Sequence, residues 1–95
     1  MPSFLTTLTM LEFTKQIKTI HGYLSFFFNK IYTVEGVRFH VSVVGTDRKV
    51  YAFNMVQRRS KWQLQNPLNC PQWIVEIEKL LEIAILEEQD GQQDL

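Results

Sequence analysis

Val37-Arg38-Phe39-His40-Val41-Ser42-Val43 alternates apolar and polar side chains without a break. A period of two puts every apolar member on one face of a β-strand. The rest of the fold reads outward from this stretch. On its C-terminal side Gly45-Thr46-Asp47-Arg48-Lys49 has the residues of a turn. Tyr51, Phe53 and Met55 then resume the alternation and match Val43, Val41 and Phe39 across a hairpin. Arg58-Arg59-Ser60 interrupts the run, and Trp62 and Leu64 carry the apolar face onward. On the N-terminal side Glu35-Gly36 marks another turn. Taken as the two-residue loop, it sets Val34 opposite Val37, Tyr32 opposite Phe39 and Phe28 opposite Val43, all on one face. The expectation is a four-stranded antiparallel meander with one strongly apolar side.

A helix is expected at each end of this sheet. Met10, Phe13, Ile17, Ile20 and Leu24 recur every three or four residues, the spacing of one helical face. Thr9 with Glu12 has the form of a capping box, and Gly22 suits the left-handed residue that closes a helix; His21 then sits at the helix C-terminus. This predicts a helix over about 9–21. After Asn66-Pro67-Leu68-Asn69, either Asn69 or Cys70 can cap a second helix, with Pro71 in its first turn. Trp73, Ile74, Ile77, Leu80, Leu81, Ala84 and Ile85 share an arc of that helix, which predicts that it covers the sheet. The fold class is therefore read as α+β in two layers, α–β–β–β–β–α. One domain is expected over 1–95, with an ordered core over about 9–88 and a polar tail over 89–95.

Phe39-x-Val41-x-Val43, Tyr51-x-Phe53-x-Met55, Trp62 and Pro71-x-Trp73-Ile74, followed by Glu78, Leu81 and Ile85, form a pattern that resembles a group of short uncharacterised bacterial proteins. In that group a β-meander ends in a Pro-x-Trp-Ile helix. The resemblance covers about residues 31–85 and implies a fold and a bacterial origin, but no activity.

The 95 residues carry ten Lys/Arg and ten Asp/Glu, so the formal charge is zero. The charge is not evenly spread. Residues 1–65 hold nine basic residues against Glu12, Glu35 and Asp47, and residues 66–95 hold Lys79 against seven carboxylates. Such asymmetry marks either a nucleic-acid or membrane partner or an internal complementarity between helix and sheet; the internal reading is the expected one. A single cysteine, Cys70, excludes an intramolecular disulfide and a disulfide-stapled scaffold. The first eleven residues contain no basic residue ahead of their apolar positions, unlike a secretory signal. No apolar run approaches the roughly 20 residues of a membrane span. A cytoplasmic protein without membrane attachment is expected.

Catalytic and metal chemistry find little support in the pattern. His40 faces Asn54 with no motif placing a nucleophile beside it. Cys70 stands near a helix start, where a thiolate would be favoured, but a packed or capping thiol is the expected role. No His or Cys pair has metal-ligand spacing, and the four glycines form no phosphate loop. Neither catalytic residues nor a cofactor or metal site is therefore expected. Glu78 and Glu82, one helical turn apart, are read as part of a charged solvent-facing side, and Trp62 and Trp73 as core anchors.

Two sets of apolar residues exceed what a two-layer domain requires. Val75, Ile83 and Leu86 fall on the back of the C-terminal helix, and Ile31, Val44, Val50, Ala52 and Val56 fall on the second sheet face. Apolar surface left over in this way marks an interaction site, and a second copy of the chain is the commonest partner. The favoured reading is a small non-catalytic protein-interaction module that forms a homodimer or binds another protein. The alternative is nucleic-acid binding through Arg48, Lys49, Arg58, Arg59 and Lys61, because the predicted order of elements is that of a double-stranded-RNA-binding domain. The acidic C-terminal helix would repel phosphate and the basic turns lie at opposite ends of a strand, so nucleic acid is not the expected partner.

Overall fold

A computed structural model describes residues 12–93. Five antiparallel strands run in sequence order across one sheet: β1 (Glu12–Thr19), β2 (Gly22–Thr33), β3 (Gly36–Val44), β4 (Val50–Arg58) and β5 (Lys61–Leu64). A single 3-10 turn (Pro67–Asn69), a one-turn helix α1 (Gln72–Val75) and a long helix α2 (Glu78–Gln93) follow. The α+β class and the antiparallel meander agree with the sequence reading. The strand count and the N-terminal helix do not.

The segment expected to form a helix over 9–21 is instead the strand Glu12–Thr19 followed by the turn residues Ile20 and His21. Thr9, Met10 and Leu11, part of that expectation, lie outside the described residues. The misreading has a physical origin. Phe13 and Ile17 are four residues apart, which is close to one helical turn and is also two strand repeats. In the strand they share the inner face, and Leu24 is the cross-strand partner of Ile17. Ile20, which a helix would bury, sits in the hairpin turn and is 77% exposed. The helix-first order shared with double-stranded-RNA-binding domains is therefore not the order of the described chain.

Gly22 does adopt a left-handed conformation, with φ +95°, but it closes a hairpin. Thr19-Ile20-His21-Gly22 and Thr33-Val34-Glu35-Gly36 are two copies of one turn. In each, the threonine Oγ1 accepts from the N–H two residues on, at 3.0 Å from His21 and 3.2 Å from Glu35. The same hydroxyl donates to the glycine carbonyl, at 2.8 and 2.7 Å. The β2–β3 loop is consequently Val34-Glu35, one residue earlier than Glu35-Gly36, and Phe28 pairs with Val41 where Val43 was expected. Moving the loop by one residue changes each pairing by two, so no side chain changes face. The β3–β4 register matches the expectation, with Val43 opposite Tyr51, Val41 opposite Phe53 and Phe39 opposite Met55.

The inner face carries the core. Phe13 stacks on Phe28 with ring centroids 4.5 Å apart, and Phe39 meets Trp62 edge-on at 5.1 Å. Phe26, Phe28, Val41, Val43, Met55 and Leu64 are buried against Ile74, Leu81 and Ile85 of the helical layer. Each such side chain contributes roughly 1.5–3 kcal/mol by leaving water. Leu80, placed in the buried arc by its spacing, is instead partly exposed.

The helical segment is not one uninterrupted helix. Ile77 donates to Ile74 through a three-residue step, which separates α1 from α2. Pro71 itself occupies the cap position, without a side-chain cap, so neither Asn69 nor Cys70 caps the helix. α2 reaches into the polar stretch 89–95. It packs against β5 and also against β1, the two edges of the sheet, so the sheet curls around its inner face.

Candidate functional site

The two sheet edges differ in how their backbone groups are met. In an antiparallel hairpin with a two-residue loop, the closing pair exchanges hydrogen bonds and every second residue thereafter faces the partner strand. For β5 the closing pair is Arg58 with Lys61, and Gln65 donates to Asn54 at 2.9 Å in the same phase. Trp62 and Leu64 therefore aim their N–H groups away from β4. Both are met by α2: Trp62 N–H donates to Glu82 Oε2 at 3.0 Å and Leu64 N–H to Glu78 Oε2 at 2.8 Å. Glu82 is 6% exposed and also accepts from Lys79 Nζ at 3.1 Å. The donated Trp62 N–H, and secondarily Lys79, holds its carboxyl below the usual glutamate range despite burial. Glu78 and Glu82 are thus backbone acceptors and do not form a free solvent face.

The same rule applied to β1, whose closing pair is Thr19 with Gly22, turns the backbone of Glu12, Thr14, Gln16 and Lys18 outward. Among the described residues no strand pairs there. A groove of about 220 Å³ runs between this edge and α2, with Ile17, Leu80, Ile83 and Ala84 in its lining and Lys15, Gln16, Lys18 and Glu87 around them. Lys15 Nζ reaches Glu87 Oε1 at 3.1 Å. This is the only ion pair between helix and sheet among the described residues, so the expected complementarity of acidic helix and basic sheet is confined to it.

The apolar residues singled out from the sequence divide into separate places. Ile83 lines the β1–α2 groove, and Leu86 is partly exposed on the same helix. Val75 is half-buried and packs against the core. Ile31, Val44, Val50 and Val56 lie on the outer sheet face, the side away from the buried core. There Val44 faces Val50 directly, and the two are 51% and 69% exposed. They do not join the helix residues in one patch. Phe27 and Tyr23 add to the outer face, and their alternation within β2 was the signal for them.

The basic residues also separate. Arg48 and Lys49 belong to the β3–β4 loop, whereas Arg58, Arg59 and Lys61 line a concavity of about 490 Å³ at the β4–β5 turn. β4 lies between the groups, about 26 Å long at roughly 3.3 Å per residue. Arg59 and Ser60 both have positive φ, 53° and 69°.

Another recess, of about 260 Å³, contains His40, Asn54, Gln65 and Cys70. His40 Nδ1 lies 3.0 Å from Asn54 Oδ1, and Asn54 Nδ2 donates to Gln65 Oε1 at 3.2 Å. The Cys70 thiol donates to the Asn66 carbonyl at 3.6 Å. Burial, with Glu78 nearby, pushes that thiol up and so disfavours the thiolate. His21, expected at a helix end, is in the β1–β2 turn with its ring edge-on to Trp73 at 5.4 Å. No group of three or more His, Cys, Asp or Glu among the described residues is placed to hold a metal ion.

No family model, curated protein or solved structure matches the chain. The functional reading therefore rests on these surfaces. No helix among the described residues is long and apolar enough to cross a membrane.

Proposed function

We propose that this chain is a non-catalytic protein-interaction module that self-associates through the β1 edge and the adjoining side of α2. One observation carries the reading: the carboxylates of α2 seal the outward N–H groups of β5, while among the described residues nothing pairs with the β1 edge, which lies beside an apolar groove. An unpaired strand edge is a template for another strand. Leu80 and Ile83 beside it supply apolar area that a bare edge lacks.

The test is solution mass by size-exclusion chromatography with light scattering over a dilution series. A species near twice 11.2 kDa is expected, and it reverts to monomer when Ile83 is replaced by Lys. Val44→Lys, on the outer sheet face, leaves it intact. Dissociation by Val44→Lys alone would move the interface to the outer face. A monomer throughout would overturn self-association.

A further inference from the structure

The partner strand can be specified further, on the reading that β1 is the interaction edge. We infer that β1 pairs with β1 of a second copy, antiparallel about a two-fold axis at Lys15, to give one continuous sheet of ten strands. Charge selects this register. The outward-directed residues are Glu12, Thr14, Gln16 and Lys18, and antiparallel pairing sets outward residues opposite one another. Three symmetric registers retain most of the strand. One sets Thr14 against itself and leaves Lys18 without a partner among the described residues. Another sets Gln16 against itself and leaves Glu12 unpaired. The third sets Glu12 opposite Lys18 of the second copy, twice by symmetry, and Thr14 opposite Gln16, so that all four residues pair. Opposite charges facing each other across strands stabilise, and like charges destabilise.

Lysines on an edge strand ordinarily discourage pairing. In this register Lys18 meets a carboxylate. Lys15 meets its own counterpart on the axis, with each ammonium held at 3.1 Å by Glu87 of its own α2. The inner-face neighbours are then Phe13 and Ile17 of opposite copies. The same axis brings the two grooves together, with Leu80 and Ile83 of each α2 beside the junction.

Two experiments test the register separately from self-association. In a Cys70→Ser background, Lys15→Cys lies opposite itself at a non-hydrogen-bonded pair, where Cα atoms are about 4.5 Å apart, within disulfide reach. Mild oxidation is expected to give a covalent dimer from Lys15→Cys and little from Gln16→Cys, which faces Thr14. Glu12→Lys and Lys18→Glu are each expected to weaken association about tenfold, and the double exchange to restore it. Circular dichroism checks the fold of each variant. A dimer that cross-links through Gln16→Cys and not Lys15→Cys, or that the double exchange fails to restore, overturns this register while leaving the self-associating module standing. A wild-type monomer at every concentration overturns both.

Discussion

The backbone N–H of Trp62 donates to the carboxylate of Glu82 across 3.0 Å, joining an edge strand to the helix beside it. The next outward N–H, that of Leu64, meets Glu78 in the same way. Two such groups on one strand edge are about 6.6 Å apart, and residues four apart on a helix rise about 6 Å. The near-equality lets one helix side satisfy both donors, so β5 is closed although it has only four residues.

Removing the Glu82 acceptor is therefore expected to cost more than an exposed glutamate would. Glu82→Ala leaves the Trp62 N–H buried and unpaired, a loss of about 1–3 kcal/mol. Glu82→Gln keeps an oxygen at the position and should cost less. Urea unfolding of the three proteins measures the order, which should be wild type, then Gln, then Ala.

Acid should reproduce part of this loss. The Glu82 carboxyl is held below its ordinary value, chiefly by the Trp62 N–H, so folding favours its ionised form. That contribution is complete above the unfolded glutamate value of about 4.3 and is lost as pH falls through the lower folded value. Wild type should lose more stability than Glu82→Gln between about pH 5 and pH 3. Parallel stability–pH curves would show that the clamp does not depend on the charge.

The Thr-x-x-Gly turns offer a second test. Thr33→Val removes the hydroxyl that bonds both Glu35 N–H and the Gly36 carbonyl, at a cost of about 1–2 kcal/mol. Gly36 has φ +128°, and a methyl group there would meet no neighbour within 4 Å. Gly36→Ala is therefore a test of backbone conformation without a clash, with an expected cost of about 1–3 kcal/mol. Thermal unfolding that left both variants level with wild type would show that these turns contribute nothing to register.

Much of the sheet was legible because Val37–Val43 and Tyr51–Met55 alternate strictly, and alternation has one structural meaning. The N-terminal strand was not, because Phe13 and Ile17 satisfy both periods and the Thr9–Glu12 and Gly22 signals also fit a helix. The repeated Thr-x-x-Gly around residues 19–22 and 33–36 was the available discriminator, since a second copy stood between two clear strands. That no strand pairs with the β1 edge among the described residues could not be read from residue types at all. It follows from which backbone groups face outward and from Glu78 and Glu82 reaching one edge alone. Helical spacing places those two carboxylates on one side of α2, but only the packing shows that this side meets β5.

The β4–β5 turn separates stability from binding. Arg59 and Ser60 both occupy the left-handed region, where a two-residue hairpin loop favours Asn-Gly. An Arg59→Asn, Ser60→Gly double variant relieves that strain and should gain about 1 kcal/mol. That gain raises Tm by roughly 4–8 °C for a domain of this size. The β1 edge lies at the far side of the sheet, three strands away from this turn's hairpin. Association at the β1 edge should therefore be unchanged by the double variant when measured well below Tm. A weakened association would place the turn in the interface, and an unchanged Tm would mean that Arg59 gains from a compensating contact what its backbone conformation costs.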